Sequence, residues 1–417
     1  MQRIEIEAIG ELAGETLAAA GGLIQEMHEG IAQRPFGILG AAAAPVRAVH
    51  DGITRGVYRA VRLGLGLAPR GVGGLVALRA GDEGPSLAAT PAGSVTLAAL
   101  NGLYGNHLAE RGNPLALGME VRRGAGAVPV TSEGLASAFP DATSRIAVFI
   151  HGLCETDDAW RQFPLGGDRS GRRTYGERLR DELGYTPVHV RYNTGLRVSH
   201  NGRALALLLD ELIDRWPPGV AELVLVGHSM GGLVARSACH YGERDARRWT
   251  DAVRHVFCLG APHHGADLEK SLNVIAWALG RMPETRAWSS FLNARSVGIK
   301  DLRFGACVDE DWRDADPDEF LRDRCHEVPL LADANYYFVA ASVREGPVGS
   351  LVGDLLVRIP SASGRGTGKG RRIPFELDSG LELSGLNHFD LLNHPAVYEQ
   401  IRTWLSQAPD APERPDG

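Results

Sequence analysis

Residues 223–235 read Leu-Val-Leu-Val-Gly-His-Ser-Met-Gly-Gly-Leu-Val-Ala, and no other stretch of the chain restricts its fold as tightly. An apolar β-type run stops at Gly227 and a helix-period pattern resumes at Gly232, so the chain must reverse character within a few residues. Gly227 and Gly231 lack Cβ atoms, which lets a strand and a helix approach each other across such a turn. Ser229 then stands at its tip, at the N-terminus of the following helix, where unpaired backbone N–H groups face any negative charge that develops. A purely structural Gly-rich turn is the alternative, and the flanking strand and helix patterns argue against it.

The rest of the chain supplies the context that this turn demands. Short β-type runs occur at 115–121, 127–131, 146–150, 188–192, 223–226, 253–259 and 336–343. Helix patterns lie between the later runs, at 175–183, 202–216 and 232–241. Strands alternating with helices of about ten residues or more predict an α/β fold, with a mostly parallel sheet covered by helices on both faces. Residues 1–112 read differently, as a helical N-terminal region. Leu12, Ala20, Leu23, Ile24, Met27 and Ile31 mark one amphipathic helix, and Val46, Val49, Ile53, Val57 and Val61 mark a second. A third is predicted from Thr90-Pro91, with Val95, Leu100, Leu103, Tyr104 and Leu108 as its apolar stripe. The catalytic part is expected over 113–407, and a frayed tail over 408–417.

Hydrophobic residues at 44% and charged residues at 23% are those of a folded globular chain. The formal net charge of −7 provides no basic field for nucleic acid, so no nucleic-acid partner is expected. Five cysteines at irregular spacing, without a C-x-x-C pair, imply neither a zinc cluster nor a disulfide framework. The acidic start, Glu5 and Glu7, and the absence of a span of about 20 apolar residues point to a cytoplasmic protein. Arg47, Arg55, Arg59 and Arg62 on the second helix admit peripheral contact with anionic lipid, although a solvated helix face is the commoner meaning of that pattern. The N-terminal apolar stripes equally admit a homo-oligomer.

A second strand ends in chemistry. Ile146–Ile150 runs into His151-Gly152-Leu153, and a loop after an earlier strand is where a second oxyanion donor must originate, opposite the turn at Ser229. Leu153 and Met230 N–H are the natural pair, with Gly227, His228, Gly231, His151 and Gly152 supporting the turn and the loop. His151 reads as an orienting residue rather than a base, and Cys154 as a small residue rather than a nucleophile.

On Phe149-Ile150-His151-Gly152, Gly227-His228-Ser229-Met230-Gly231-Gly232 and Leu259-Gly260-Ala261-Pro262-His263-His264-Gly265, the chain resembles the α/β-hydrolase superfamily, in particular its lipase and esterase branch, over roughly residues 115–406. The resemblance implies a triad in the chain order Ser, Asp or Glu, His. It implies Asp354 as the acid, in Gly353-Asp354-Leu355, where the family usually has a glycine in place of Leu355. Asp333 and Asp378 are the competing carboxylates. It implies His388 as the base, between the last strand and the last helix, with His394 reading instead as the start of that helix. A lid insertion is expected around 266–330, carrying Leu272, Val274, Ile275, Trp277, Leu279, Met282, Trp288, Phe291 and Leu292, with a plain core helix as the alternative.

The expected activity is serine carboxylic-ester hydrolysis of apolar acyl esters through an acyl-enzyme, with an ester as the partner molecule and no metal or organic cofactor. A thioesterase or acyltransferase on the same fold is the nearer alternative, and a non-catalytic binding protein the more distant one. The acidic run Asp309, Glu310, Asp311, Asp314, Asp316, Asp318 and Glu319 lacks EF-hand spacing and is expected to be a solvated loop rather than a Ca²⁺ site. Cys307 and Cys325, which bracket it, are expected to remain reduced.

Overall fold

The computed structural model describes residues 1–39, 86–162, 172–281, 285–344, 353–365 and 371–407, with scattered helical positions between 51 and 77. Arg47, Val46, Val49, Ile53 and Val57 of the expected second helix, Met282 of the expected lid, and the tail 408–417 lie outside the described residues.

Eight strands form one sheet: β1 (Glu120–Arg123), β2 (Gly126–Val128), β3 (Arg145–Ile150), β4 (Thr186–Arg191), β5 (Glu222–His228), β6 (Val253–Leu259), β7 (Asn335–Ser342) and β8 (Gly380–Ser384). Their order is β2-β1-β4-β3-β5-β6-β7-β8. β3 to β8 are parallel, and β1 and β2 make an antiparallel edge. The central strands are continuous apolar runs because both of their faces are covered. Ile146, Val148 and Ile150 bury into one layer, and Ala147 and Phe149 into the other. On the first face lie α4 (Val198–Arg215) and α5 (Met230–Arg244); on the second lie α3 (Tyr175–Leu183) and α9 (Pro395–Gln407). Register fixes which ends of the strands meet. Ile150 pairs with Gly227, His228 with Leu259, and Leu259 with Val339, so the loops after β3, β5, β6 and β7 open along one edge of the sheet.

In the N-terminal region, α1 spans Arg3–Leu39 and α2 spans Pro91–Glu110. Thr90 caps α2 by accepting a hydrogen bond from Gly93 N at 3.2 Å, as the Thr-Pro pair predicts. The buried face of α2 differs from the expected one. Val95 is 69% exposed and Leu103 is exposed, whereas Gly93, Ser94, Leu97, Ala98, Asn101, Gly102, Gly105, Asn106 and Leu108 are buried. Leu97 and Leu108 join an apolar cluster with Ala8 of α1 and Leu115, while the rest of this face packs against loops of the sheet's open edge, where small and polar residues fit. Ser94 Oγ donates to Asp158 at 2.7 Å, Asn193 Nδ2 donates to Gly105 O at 2.9 Å, and Ser296 N donates to Leu103 O at 2.8 Å. A Cβ on Gly105 would overlap the Asn193 amide, which explains glycine there.

Between β6 and β7 the chain forms α6 (Asp267–Leu279), α7 (Arg286–Asn293) and α8 (Val297–Asp301), with α7 packed against α1. Leu268, Val274, Ile275, Trp277, Trp288 and Phe291 remain exposed on α6 and α7. The acidic run departs from the solvated loop expected of it: Asp309 and Asp311 are buried. Asp309 pairs with Arg203 and Arg313, while Asp311 accepts the Cys307 and Val308 amides at 2.8 and 3.1 Å. Asp311 satisfies backbone donors that the turn leaves unpaired, and Asp309 is buried with its arginine partners. Among the described residues no His, Cys, Asp or Glu group is arranged to hold a metal, and no helix is long and apolar enough to cross a membrane. All five cysteines are free thiols.

Candidate active site

Ser229 joins β5 to α5 with φ 53° and ψ −121°, a conformation that glycine adopts freely and a Cβ makes unfavourable. The surroundings over-determine it. Ser229 N donates to Leu259 O at 2.8 Å on the neighbouring strand. A Cβ on Gly227 would lie 2.5 Å from Gly231 C, and one on Gly231 would lie 2.6 Å from His151 O, so the crossing of strand, helix and β3 loop closes only with glycine at both positions.

Asp354 follows β7 and His388 follows β8; both are buried, at 1% and 2% exposure. His388 Nδ1 lies 2.6 Å from Asp354 Oδ2. The other carboxylate oxygen accepts Leu356 N at 3.0 Å and Val357 N at 2.8 Å, and the backbone N–H of His388 donates to Asp354 O at 3.1 Å. The carboxylate is therefore held by two backbone amides and holds the imidazole by one edge. The other edge is free, since His388 Nε2 is buried without a partner among the described residues. A Cβ on Gly260, which adopts φ +62°, would lie 3.0 Å from His388 Cε1, so the loop after β6 brings the ring beside the segment that anchors Ser229 N. Leu355 adopts φ +83° and is 65% exposed. The loop thus makes a left-handed turn at Leu355 and presents an apolar side chain from it. Asp333 and Asp378 are exposed, and His394 accepts from Ala396 N at 3.2 Å at the start of α9. None of the three joins Ser229.

On the opposite side lies the loop after β3. His151 is fully buried and neutral, its proton affinity lowered chiefly by burial. Its Nε2 accepts Tyr192 N at 3.2 Å, which leaves Nδ1 to donate to Gly152 O at 3.0 Å. The Tyr192 ring stacks on it with a centroid separation of 4.3 Å. His151 orients the loop and faces no reacting position. A Cβ on Gly152 would meet Ser229 Cβ at 3.0 Å, which puts this loop directly against the serine. Gly152 N is engaged by Glu155 and Cys154 N by Thr194, whereas Leu153 N–H and Met230 N–H have no acceptor among the described residues. Cys154 is exposed to solvent but its thiol packs against Gly102 of α2, and the protein atoms around it push the thiol up to about 11, which keeps it protonated at neutral pH.

One residue here escaped the sequence reading. Glu155 is buried beneath the loop, where its carboxylate accepts Gly152 N at 2.6 Å and sits 3.1 Å from His228 Nδ1. An acid five residues beyond a buried strand, closing the His-Gly-Leu-Cys-Glu run, was the available signal.

A family model described as a PGAP1-like alpha/beta domain matches residues 142–317, which include β3 to β6, the serine turn and the helices after β6. Among solved structures, the chain is similar to the mature form of the lipase BlEst2 from Bacillus licheniformis, at 19% identity over 63% of this chain and 91% of that one, with a TM-score of 0.41. It is also similar to an alpha/beta hydrolase fold protein from Chitinophaga pinensis, at 12% identity over 64% and 91%, TM-score 0.38. A third is the metagenomic carboxyl esterase MGS0156, at 14% identity over 64% and 76%, TM-score 0.35. No curated protein matches the sequence.

Proposed function

From the premise that this chain has the α/β-hydrolase fold, we propose that it is a serine ester hydrolase in which Ser229 is the nucleophile, His388 the base and Asp354 the acid. The observation that carries the reading is the buried Asp354–His388 pair, whose Nε2 has no partner among the described residues and whose ring lies against Gly260, next to the Leu259 carbonyl that anchors the strained Ser229 turn. In the first half-reaction Ser229 Oγ attacks the ester carbonyl carbon as its proton passes to His388 Nε2. Asp354 holds the tautomer that leaves Nε2 free to accept and stabilises the imidazolium that forms. The carbonyl oxygen, now negative, is met by the two disengaged donors, Leu153 N–H and Met230 N–H, at the N-terminus of α5. Collapse of the tetrahedral intermediate expels the alcohol, which takes the proton from Nε2. Water then repeats the sequence on the acyl-enzyme and releases the acid.

An apolar acyl group is the substrate class this reading favours. Leu268, Ile275, Trp277, Trp288 and Phe291 present apolar surface on α6 and α7, the segment that leaves the open edge of the sheet directly after β6, and we assign these helices the role of a lid. Residues 1–112 act in this reading as part of the catalytic unit, because α2 packs on the loops that carry Cys154, Asn193 and Ser296.

The test is hydrolysis of p-nitrophenyl esters of graded chain length together with labelling by a fluorophosphonate. The wild type is expected to hydrolyse them and to be labelled, and Ser229→Ala to do neither while remaining folded. Labelling that persists in Ser229→Ala would refute the assignment.

A further inference from the structure

Beneath the serine, three segments from distant parts of the chain meet on one buried imidazole. His228 Nδ1 lies 3.1 Å from both oxygens of Glu155, and Nε2 lies 3.2 Å from His388 O. Glu155 in turn accepts Gly152 N at 2.6 Å. One ring therefore links the loop after β3, the serine turn and the loop that carries the base. We propose that Glu155 and His228 form a permanent internal ion pair that acts as a positioning clamp, holding the oxyanion loop and the base loop in register with Ser229. The proposal rests on the hydrolase reading of this site and extends it to residues that touch neither substrate nor the reacting atoms.

Hydrogen-bond counting sets the charge state. A carbonyl oxygen can only accept, so Nε2 must carry a proton toward His388 O. An ionised Glu155 can also only accept, so Nδ1 must carry one as well, and the ring is an imidazolium. The alternative leaves Nδ1 bare and a proton on Glu155. Against it stand the two equal distances from Nδ1 to the carboxylate oxygens and the short bond from Gly152 N, both of which suit a carboxylate that shares its charge. Burial pushes each group toward neutrality. Mutual attraction and hydrogen bonding oppose it, and the balance holds Glu155 below its usual range and His228 above its own. Asp354 adds attraction on the His228 side. Neither partner has an arginine or lysine within ion-pair distance among the described residues, so each is the other's counter-ion.

The pair has a catalytic consequence because of where its three bonds end. Gly152 N is tied down immediately before Leu153, the residue whose N–H we assign to the oxyanion. His388 is fixed through its carbonyl, while Asp354 fixes its ring and its N–H. The rings of His228 and His388 sit 4.9 Å apart, and the Glu155 charge keeps the pair neutral as His388 becomes charged in the reaction. Loss of the clamp lets both loops drift, and a misplacement of about 1 Å at such a site is worth on the order of 100-fold in rate.

Two measurements on the full chain test this. With ¹⁵N-labelled histidine, the wild type should show one histidine, lost in His228→Asn, with protons on both ring nitrogens through the pH range in which ordinary histidines become neutral. In Glu155→Gln the side-chain amide can still accept Gly152 N–H and donate to Nδ1, so the same histidine should become neutral with its proton on Nε2. A wild-type His228 found neutral overturns the ion pair, and this readout holds whether or not the protein hydrolyses esters. In kinetics, Glu155→Ala should lower kcat on a short p-nitrophenyl ester by on the order of 100-fold with KM little changed. The fluorophosphonate labelling rate should fall in parallel, and Glu155→Gln should recover part of both. Wild-type kcat in both folded variants overturns the clamp. Failure of the wild type itself to be labelled at Ser229 instead removes the hydrolase reading.

Discussion

Replacing Ser229 with glycine is expected to leave the protein more stable than replacing it with alanine, the reverse of the usual order. In ordinary backbone glycine is worse than alanine by about 0.5–1 kcal/mol, because the unfolded glycine has more freedom to lose. At φ 53° and ψ −121° the comparison changes, since any Cβ at this point is held in a sparsely populated region. Strain of that kind costs on the order of 1–3 kcal/mol. Glycine removes the strain and alanine retains it, so the glycine variant should lead by about 0.5–2 kcal/mol. Across 417 residues the unfolding entropy of about 2.1 cal/mol/K per residue turns this into a rise of only roughly 0.5–2.5 °C in Tm. Urea unfolding is therefore the better assay, with the midpoints and slopes of both variants compared under one buffer. Neither variant should hydrolyse esters, which separates stability from activity at a single position. An alanine variant as stable as the glycine variant, or more so, would refute the idea that this turn stores strain in order to present Ser229.

Other consequences follow from the same geometry. Asp354→Asn should lower kcat by several orders of magnitude on p-nitrophenyl esters, because an amide at 2.6 Å from Nδ1 favours the wrong tautomer, whereas His394→Ala should leave kcat within a factor of a few. Gly102→Ala places a methyl group on Cys154 Sγ and should destabilise the chain by about 1–3 kcal/mol in chemical denaturation, with Cys154→Ala restoring much of the loss. Removing residues 1–112 should yield an inactive or insoluble protein in expression and esterase assays, because it strips the α2 contacts from Asn193, Asp158 and Ser296. Acid should destabilise the fold through His255, whose pKa burial lowers to about 4. Between that value and about 6.5 the unfolded chain binds more protons, so stability is full above about 6.5 and is lost as pH falls toward 4. Denaturant midpoints measured against pH should flatten in His255→Gln.

The sequence by itself determined whatever depends on short-range chemistry. The helix of 175–183 begins where Thr174 and Glu177 form a reciprocal cap, and it stops at Gly184 in the left-handed region. The serine turn was legible because two glycines must flank a side chain between strand and helix, a requirement written within five residues. The run of apolar residues at 146–150 announced a strand covered on both faces, and every residue of it is buried. Asp354 and His388 could be nominated from the family's order along the chain, but 34 residues separate them, and only the tertiary structure brings Nδ1 to 2.6 Å from the carboxylate. The buried face of α2 lay beyond pattern reading. Periodicity assumes that a helix buries one apolar stripe, whereas only Leu97 and Leu108 of α2 meet an apolar cluster and the rest of its buried face meets backbone and amide groups, where close approach selects Gly102, Gly105 and Ser94. Asp309 and Asp311 misled for the same reason, since an acidic run looks solvated until a distant arginine, or a turn's own amides, claim its carboxylates. Glu155 is the clearest case. Its meaning lies in a histidine 73 residues away and in that ring's bond to His388, a further 160 residues along the chain. Sequence carries the identity of each group, but burial and proximity between distant segments decide which of them are charged and what they hold in place.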